Sequence, residues 1–260
     1  MSGFDTRWLD LREPADHAAR DPFLLDAAGA YLLAGGEAPL AVDLGSGTGS
    51  TLRAFGSRAK ATRWRLVDND PRLLEAAVSR LPDGEAVERV EADLTHLAPD
   101  VIDGARLVTA SALFDLASRG FVNDLAARLG ERRIALYAAL NYDGGMRWEP
   151  PHPVDREVVA AFNRHQTGDK GFGPALGPGA MEALREAFTE QGFDVRVAPS
   201  PWRLAAEDEA LHALFVDGVV SAVAQTDEVA SSRLDDWAAR RRETPPLCKV
   251  GHWDVLALPR

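Results

Sequence analysis

Cysteine is scarce in this sequence, because Cys248 is its only one, so no intramolecular disulfide and no zinc site built on several cysteines can form. No run of about 18 uncharged apolar residues is present, and the acidic N-terminal segment lacks the apolar stretch of a secretory signal. No group of carboxylates or histidines has the spacing of metal ligands, so no metal site is predicted. Together these absences predict a soluble, cytoplasmic protein without a membrane partner.

Positive charge is also in deficit, with 29 Lys and Arg against 40 Asp and Glu and a net charge of -11. Because this field repels phosphate polymers, we expect no nucleic-acid partner. The run Arg240 to Arg242 is interpreted as a solvated helix end. The composition leaves the oligomeric state open.

The remaining composition is that of one globular domain, with 46% hydrophobic and 27% charged residues over 260 positions. We expect residues 1–37 to form an N-terminal helical cap and residues 38–140 a ligand-binding core. Residues 141–260 are expected to supply further helices, a glycine-rich loop and the last strands.

From residue 38 onward, short β-rich apolar runs alternate with helical patterns, which is typical of βαβ units. The predicted strands are 40–44, 64–67, 86–91, 106–110, 133–140, 193–197 and 253–258. The expected fold is therefore α/β, with a Rossmann-like, mainly parallel seven-stranded sheet and helices on both faces. Two N-terminal helices are expected across one edge of the sheet, and a helical insertion is expected before the last strand.

The segment Val42 to Gly49 stands where the first strand turns into a helix. Its glycines let the backbone approach a ligand and present helix N-terminal amides to it. Asp43 precedes the first glycine, and an anion there disfavours a pyrophosphate but favours a cationic ligand. No P-loop Lys follows, and Ser50 replaces the last small residue of a dinucleotide fingerprint, so NAD and ATP are disfavoured.

This segment resembles the first motif of the class I S-adenosylmethionine-dependent methyltransferases. The resemblance covers residues 38–140 well and the terminal strands loosely. It implies that S-adenosylmethionine is the cofactor, that an acid after the second strand holds the ribose hydroxyls, and that residues after the third strand hold the adenine. The implied cofactor-binding residues are Asp43, Gly45, Ser46, Gly47, Gly49, Asp68, Asn69, Asp93, Leu94 and Ser111.

Each of these polar residues has a structural alternative. Asp43 and Asp93 can cap the segments that follow them, and Asp68 can be a turn residue before Pro71. Ser111 and Asp115 can be polar groups that merely end a strand. We interpret Asp70 as the N-terminal cap of the second core helix, and Pro71 as the first residue of that helix.

Methyl transfer from a sulfonium is an in-line displacement that depends mainly on positioning, with a general base helping some acceptors. The candidate catalytic residues, which follow strands or lie on a helix, are Asp115, Tyr142 and His165. Arg12 and Arg20 are candidates for the cofactor carboxylate, with a plain surface role as the alternative. Residues 166–179, rich in glycine, form either a mobile lid or a rigid connector.

The acceptor is expected to be a small molecule. After the fourth strand, the chain lacks the Asn/Asp-Pro-Pro-aromatic motif of enzymes that methylate base amines, and Cys248 lies in no Pro-Cys context. The sequence does not distinguish an oxygen, nitrogen or carbon acceptor. A non-catalytic S-adenosylmethionine-binding sensor or partner subunit remains an alternative, as does an NAD-dependent oxidoreductase.

Overall fold

The computed structural model describes residues 5–81, 87–243 and 247–260. Its helices are α1 (Thr6–Ala19), α2 (Pro22–Leu33), α3 (Ser50–Phe55), α4 (Pro71–Ser79), α5 (Arg119–Arg132), α6 (Asp155–Gln166), α7 (Ala180–Glu190), α8 (Glu209–Ala224) and α9 (Ser231–Glu243). Its strands are β1 (Leu40–Leu44), β2 (Arg63–Asp68), β3 (Val87–Glu91), β4 (Ala105–Ser111), β5 (Ala135–Trp148), β6 (Phe193–Pro199), β7 (Trp202–Leu204) and β8 (Cys248–Pro259). Ala86, the first residue of the predicted third strand, lies outside the described residues. Within the described ranges, every helix is too short or too polar to cross a membrane.

The strands form one sheet in the order β3-β2-β1-β4-β5-β8-β6. The first five strands run parallel, and β8 runs antiparallel to both β5 and β6. The predicted Rossmann-like, mainly parallel sheet with helices on both faces is confirmed. The sheet has eight strands instead of seven, because β7 pairs with β8. A strand of three residues is too short to show an alternating pattern in the sequence.

The two strands β5 and β8 are much longer than predicted, at 14 and 12 residues. β4 ends at Ser111, opposite Ala139, whereas β5 continues to Trp148, which pairs with Cys248. The predicted end at Leu140 is a bulge, where Leu140 has a φ of 57° and the register shifts. The β5–β8 extension therefore projects beyond the carboxyl edge of the parallel strands.

Three hydrophobic clusters hold these layers together. One face of the sheet packs against α5 and α7, and the other packs against α2, α3 and α4. The third cluster joins the β5–β8 extension to α1, α6, α8 and α9. The N-terminal helices do not lie across the sheet edge as predicted. Instead, α2 buries an apolar stripe including Leu24, Ala28 and Leu32 on the sheet face, while α1 packs beside β7 and α8.

The basic run at the end of α9 is only partly solvated. Arg240 and Arg242 are exposed, but Arg241 is buried, with its Nη2 2.5 and 2.7 Å from the two carboxylate oxygens of Asp155. The Nη1 of Arg241 also donates to the carbonyl of Pro150 at 2.8 Å. The prediction that this run is a solvated helix end is therefore wrong for Arg241. Its ion pair with Asp155 links α9 to the first turn of α6.

Candidate functional site

Two cavities meet at the carboxyl edge of the parallel strands, where ligands bind in open α/β sheets. The first, which we call the glycine-turn cleft, has a volume of about 830 Å³ and lies along the residues that follow β1, β2, β3 and β4. The second, which we call the aromatic chamber, has a volume of about 570 Å³ and lies against the β5–β8 extension. Arg12, Ala112, Leu116 and Gln166 line both cavities, so the two spaces adjoin.

The turn after β1 shapes the floor of the cleft. Gly45 and Gly47 line it with φ of 65° and 52°, a region that disfavours side chains. A Cβ on Gly45 would lie 3.4 Å from Leu113 Cδ1 and 3.8 Å from Leu94 Cδ1, so these two leucines form an apolar slot over the glycine. Gly45 therefore lines the cleft as backbone, beside the side chains of these two leucines.

Two other predicted residues of the turn are not among the residues that line the cleft. A Cβ on Gly49 would lie 3.2 Å from the Cβ of Ala77, so Gly49 provides close packing between α3 and α4. Ser46 is 7% exposed, and its amide donates to the carbonyl of Val67 at 3.0 Å. Both residues shape the turn instead of facing its ligand side.

Asp43 lies beneath the turn and lines neither cavity, with 1% of its surface exposed. Its Oδ1 accepts from the hydroxyl of Thr109 at 2.6 Å, and its Oδ2 has no hydrogen-bond partner among the described residues. Burial raises the pKa of Asp43 to about 7, although the Thr109 hydrogen bond opposes the rise. The predicted direct contact between Asp43 and a cationic ligand is thus not present in this geometry. Asp43 does not cap α3 either, whose N-cap is Gly49.

Asp68 lines the cleft and also fixes the glycine turn. Its Oδ2 accepts from the amide of Gly47 at 2.8 Å, and its Oδ1 accepts from the amide of Asp70 at 3.0 Å. Burial raises the pKa of Asp68, and these backbone hydrogen bonds oppose the rise. The turn interpretation is therefore correct, and the ribose-binding interpretation stays a prediction for a residue that lines the cleft. Asn69 lines the cleft beside it, and Asp70 caps α4 as predicted, accepting from the amide of Arg72 at 2.9 Å.

At the turn, the backbone amides that could bind an anion already donate to other acceptors. The Gly47 amide is engaged by a carboxylate, and the Ser46 and Gly49 amides donate to the carbonyls of Val67 and Ser46 at 3.0 and 2.8 Å. A phosphate bound by such a turn needs these amides free and is repelled by a neighbouring carboxylate. The described turn therefore suits a ligand without a phosphate.

Asp93 and Leu94 line the far end of the cleft. The Oδ1 of Asp93 accepts from the amide of Thr95 at 2.9 Å and from its hydroxyl at 2.7 Å, which makes Asp93 the cap of a short helical turn. These hydrogen bonds lower the pKa of Asp93. Leu94 is 8% exposed and adjoins the slot above Gly45. The prediction that Asp93 is a cap is thus correct, and the same residue also lines the cleft.

Ser111 lines the cleft near the boundary with the chamber, and its hydroxyl accepts from Arg20 Nη2 at 3.1 Å. Arg20 is 4% exposed and lines neither cavity. Arg12 lines both cavities, with its Nε and Nη2 bound to the carboxylate of Asp16 at 2.8 and 3.2 Å. A surface role is therefore wrong for both arginines, and only Arg12 faces a ligand space.

The three predicted catalytic residues, Asp115, Tyr142 and His165, all line the aromatic chamber. The Oδ1 of Asp115 is enclosed and has no hydrogen-bond partner among the described residues, and burial raises its pKa to about 6. The hydroxyl of Tyr142 donates to Asn163 Oδ1 at 2.8 Å, and burial raises its pKa, so it stays protonated. His165 Nδ1 lies 3.2 Å from Lys170 Nζ, and burial and that lysine lower its pKa.

Sequence reasoning missed His252, which also lines the chamber. It lies opposite Tyr142 in the β5–β8 pairing, and its Nδ1 has no partner among the described residues. Burial lowers the pKa of His252 to about 4, so the imidazole is neutral near pH 7. The predicted last strand began at residue 253, five positions after the observed start of β8 at Cys248, so His252 fell outside it. The pairing of His252 with Tyr142 follows from the β5–β8 register, which no local sequence pattern shows.

The remaining chamber wall is mainly aromatic. Trp202 packs against His252 with ring centroids 5.3 Å apart, and Phe162 packs edge-on to Tyr142 at 5.7 Å. The guanidinium of Arg12 lies 5.2 Å from the ring centroid of Trp202. Further lining residues are Trp8, Leu214, Phe215 and Met146.

Residues 167–179, which we call the strap, follow α6 and border the cleft. Lys170, Gly171 and Phe172 line the cleft. The amides of Leu176 and Gly177 donate to the carbonyls of Ala117 and Asp115 at 2.8 and 2.9 Å. The C-terminal part of the strap is thus anchored, and opening of its tip stays a prediction. Across residues 5–81, 87–243 and 247–260, no three His, Cys, Asp or Glu side chains are grouped to hold a metal ion.

No protein-family model matches the chain, and no curated protein matches its sequence. Solved structures do resemble its fold. The cyclopropane synthase MmaA2 of Mycobacterium tuberculosis is 15% identical, with a TM-score of 0.52, and the match covers 98% of this chain and 94% of that chain. The YcgJ protein of Bacillus subtilis is 15% identical, with a TM-score of 0.53 and coverage of 92% and 99%. A chain of the Haloferax volcanii complex containing the Trm112 methyltransferase activator is 19% identical, with a TM-score of 0.52 and coverage of 98% and 95%. These likenesses establish the class I methyltransferase fold.

Proposed function

We propose that this chain is an S-adenosylmethionine-dependent methyltransferase that transfers a methyl group to a small molecule by in-line displacement. The observation that carries the proposal is the junction of the two cavities. A cleft lined by seven of the ten predicted cofactor residues adjoins, at Ala112 and Leu116, a second cavity of about 570 Å³. That volume lies within the range of small-molecule sites.

The cleft fits the cofactor by the chemistry of its lining. Asp68 retains free acceptor capacity on both carboxylate oxygens, which suits a pair of ribose hydroxyls. Leu94 and Leu113 supply apolar surface for a flat ring, with Asp93 beside them as a polar acceptor. When bound, S-adenosylmethionine supplies an electrophilic methyl group on a sulfonium. Ser111 lies where the cleft approaches the chamber.

The chain's own contribution is positioning. Trp8, Trp202 and Phe162 line the acceptor space, and Arg12 lies where this space adjoins the cleft. Collinear approach of two held reactants supplies most of the acceleration in such a displacement. Asp115 and His252 are the buried groups that can accept a proton there, whereas Tyr142 acts by its hydrogen bond to Asn163.

The chamber favours an enzyme over a sensor that only binds the cofactor. A sensor needs the cleft alone, whereas this chain forms a second cavity directly against it from α1, α6, α8 and the β5–β8 extension. The NAD-dependent alternative is disfavoured because Asp68 occupies the Gly47 amide that a pyrophosphate would use.

Calorimetry with S-adenosylmethionine and S-adenosylhomocysteine tests the cofactor, and we expect dissociation constants in the micromolar range, about 8 kcal/mol. Failure of both compounds to bind below millimolar concentration would contradict the proposal. Incubation with methyl-labelled S-adenosylmethionine and a metabolite extract then separates an enzyme from a sensor, because a sensor transfers no label. Titration with NADH should show no tight binding.

A further inference from the structure

We propose that the aromatic chamber binds a small amine with an apolar or aromatic body, and that the carboxylate of Asp115 holds the nitrogen of this acceptor. The inference rests on the proposed methyltransferase function and names the substrate class of the same site. It depends on three features: an enclosed carboxylate oxygen, an aromatic wall, and the weakness of the neighbouring bases.

The first feature is the unsatisfied Oδ1 of Asp115. The atom is enclosed and has no hydrogen-bond partner in the described part of the chain. The residue lines the chamber, and Arg12 attracts it through space while directing its Nε and Nη2 hydrogen bonds to Asp16. A buried carboxylate oxygen without a donor is unfavourable, and an N–H group of a ligand relieves that cost.

The second feature is the wall around this carboxylate. Trp8, Trp202, Tyr142, Phe162 and Phe215 all line the chamber. Aromatic faces attract cations and pack well against flat apolar groups. The one arginine in the lining is paired with Asp16, so its charge is largely compensated. An ammonium on an apolar body therefore matches this wall better than a carboxylate or a phosphate does.

The third feature is the absence of a strong base among the lining residues that the structure describes. His252 is neutral with a pKa of about 4, and His165 is coupled to Lys170 at 3.2 Å. Tyr142 stays protonated and bonded to Asn163. An aliphatic hydroxyl needs a stronger base, whereas an amine that loses one proton attacks with its own lone pair.

The reaction balances without a further reactant. The ammonium releases one proton to Asp115 and from there to solvent, and its lone pair forms the N–C bond to the methyl group. The C–S bond of the sulfonium donor breaks, and its electron pair stays on sulfur as a neutral thioether. The products are a methylated ammonium, the thioether and one proton.

Calorimetry in saturating S-adenosylhomocysteine tests the inference with tryptamine, its alcohol analogue tryptophol and indole-3-propionate. We expect tryptamine to bind at least about 10-fold more tightly than tryptophol, because hydrogen bonds to charged groups contribute about 1.5–3 kcal/mol. Asp115→Asn should reduce that ratio to within about 3-fold of unity while leaving the affinity for S-adenosylhomocysteine unchanged.

Asp5→Asn is the matched control, because Asp5 also lines the chamber but is exposed and caps α1, a role that Asn fills equally well. It should keep the preference for tryptamine. Asp115→Ser is a second variant if Asp115→Asn does not melt cooperatively. Equal or tighter binding of tryptophol or indole-3-propionate would overturn the inference, as would a preference that survives in Asp115→Asn. Absence of tryptamine and phenethylamine binding at about 10 mM would also overturn it.

The two proposals fail in different ways. If S-adenosylhomocysteine does not bind, the proposed function fails, and the same titrations without it still measure the amine preference of the chamber. If S-adenosylhomocysteine binds and the amine preference is absent, only the substrate class is wrong.

Discussion

Replacement of Asp68 separates the structural and ligand-binding roles of the residue that lies between the glycine turn and the cleft. Asp68 is 8% exposed, and its carboxylate accepts hydrogen bonds from the amides of Gly47 and Asp70 at 2.8 and 3.0 Å. Asp68→Ala removes both bonds and all acceptor capacity toward a ligand. Asp68→Asn keeps one acceptor oxygen, so it is expected to retain one of the two backbone bonds.

The expected magnitudes follow from those contacts. Hydrogen bonds to a charged group contribute about 1.5–3 kcal/mol each, and part of that gain is offset here by the burial that raises the pKa of Asp68. We expect Asp68→Ala to lower the free energy of unfolding by about 2–3 kcal/mol. Loss of two hydrogen bonds to ribose hydroxyls should weaken S-adenosylhomocysteine binding about 100-fold, and Asp68→Asn should weaken it about 10-fold.

The assay pairs calorimetric titration of S-adenosylhomocysteine with urea unfolding of each variant. Asp21→Ala is the control, because Asp21 caps α2 by accepting the Leu24 amide at 2.8 Å and lines neither cavity. It should cost about 1 kcal/mol of stability and leave affinity unchanged. A cooperatively folded Asp68→Ala that binds S-adenosylhomocysteine like the wild type would refute the assignment of Asp68 to the ribose.

Three further predictions address the turn, the chamber and the strap. Tyr142→Phe should lose the hydrogen bond to Asn163 and about 1 kcal/mol of stability, with methyl transfer reduced less than about 10-fold; a loss above about 100-fold at normal stability would show a chemical role for the hydroxyl. Because the pKa of Asp43 is about 7 in the fold, against an ordinary value of 3.8, the folded state takes up a proton as pH falls through 7, and the wild type gains stability between pH 8 and pH 5. Asp43→Asn should lack about 2.7 kcal/mol of this gain in urea unfolding, because each of the two pH units between 7 and 5 contributes about 1.4 kcal/mol. An unaltered pH dependence would contradict the buried carboxylate. In hydrogen exchange, the amides of Leu176 and Gly177, which donate to backbone carbonyls, should exchange more slowly than the amide of Gly171, an exposed residue whose amide donates to the nearby Asp169 carboxylate. Uniformly fast exchange would indicate that the whole strap opens.

Features with a strong local signal were predictable from the sequence. The apolar run 40–44 followed by glycines predicts a strand, a tight turn and a helix, and the structure has β1, the turn and α3 at those positions. Asp70 followed by Pro71 predicts the start of α4, and the Asp70 carboxylate does accept the amide of Arg72. Capping and left-handed turns depend on neighbouring residues alone, so a sequence shows them directly.

Features that depend on distant pairing could not be predicted. The length of β5 beyond Leu140 is set by its partner β8, more than 100 residues later, and nothing local distinguishes a bulge from a strand end. The aromatic chamber follows from that pairing, since the extension brings His252 opposite Tyr142 and beneath Trp202. The predicted strand began at residue 253 instead of 248, and this five-residue error left His252 outside it.

The carboxylate that disfavours a phosphate at the glycine turn is a different residue in the structure from the one predicted from the sequence. A carboxylate near the turn was expected to select against phosphates, and Asp43 was the residue assigned to this role. The structure places Asp43 out of reach beneath the turn, with its charge reduced by a raised pKa. Asp68 instead accepts the Gly47 amide at 2.8 Å, so an incoming phosphate would meet both an occupied donor and a negative charge. Asp68, at the end of the adjacent strand β2, is therefore the carboxylate that disfavours a phosphate at the turn.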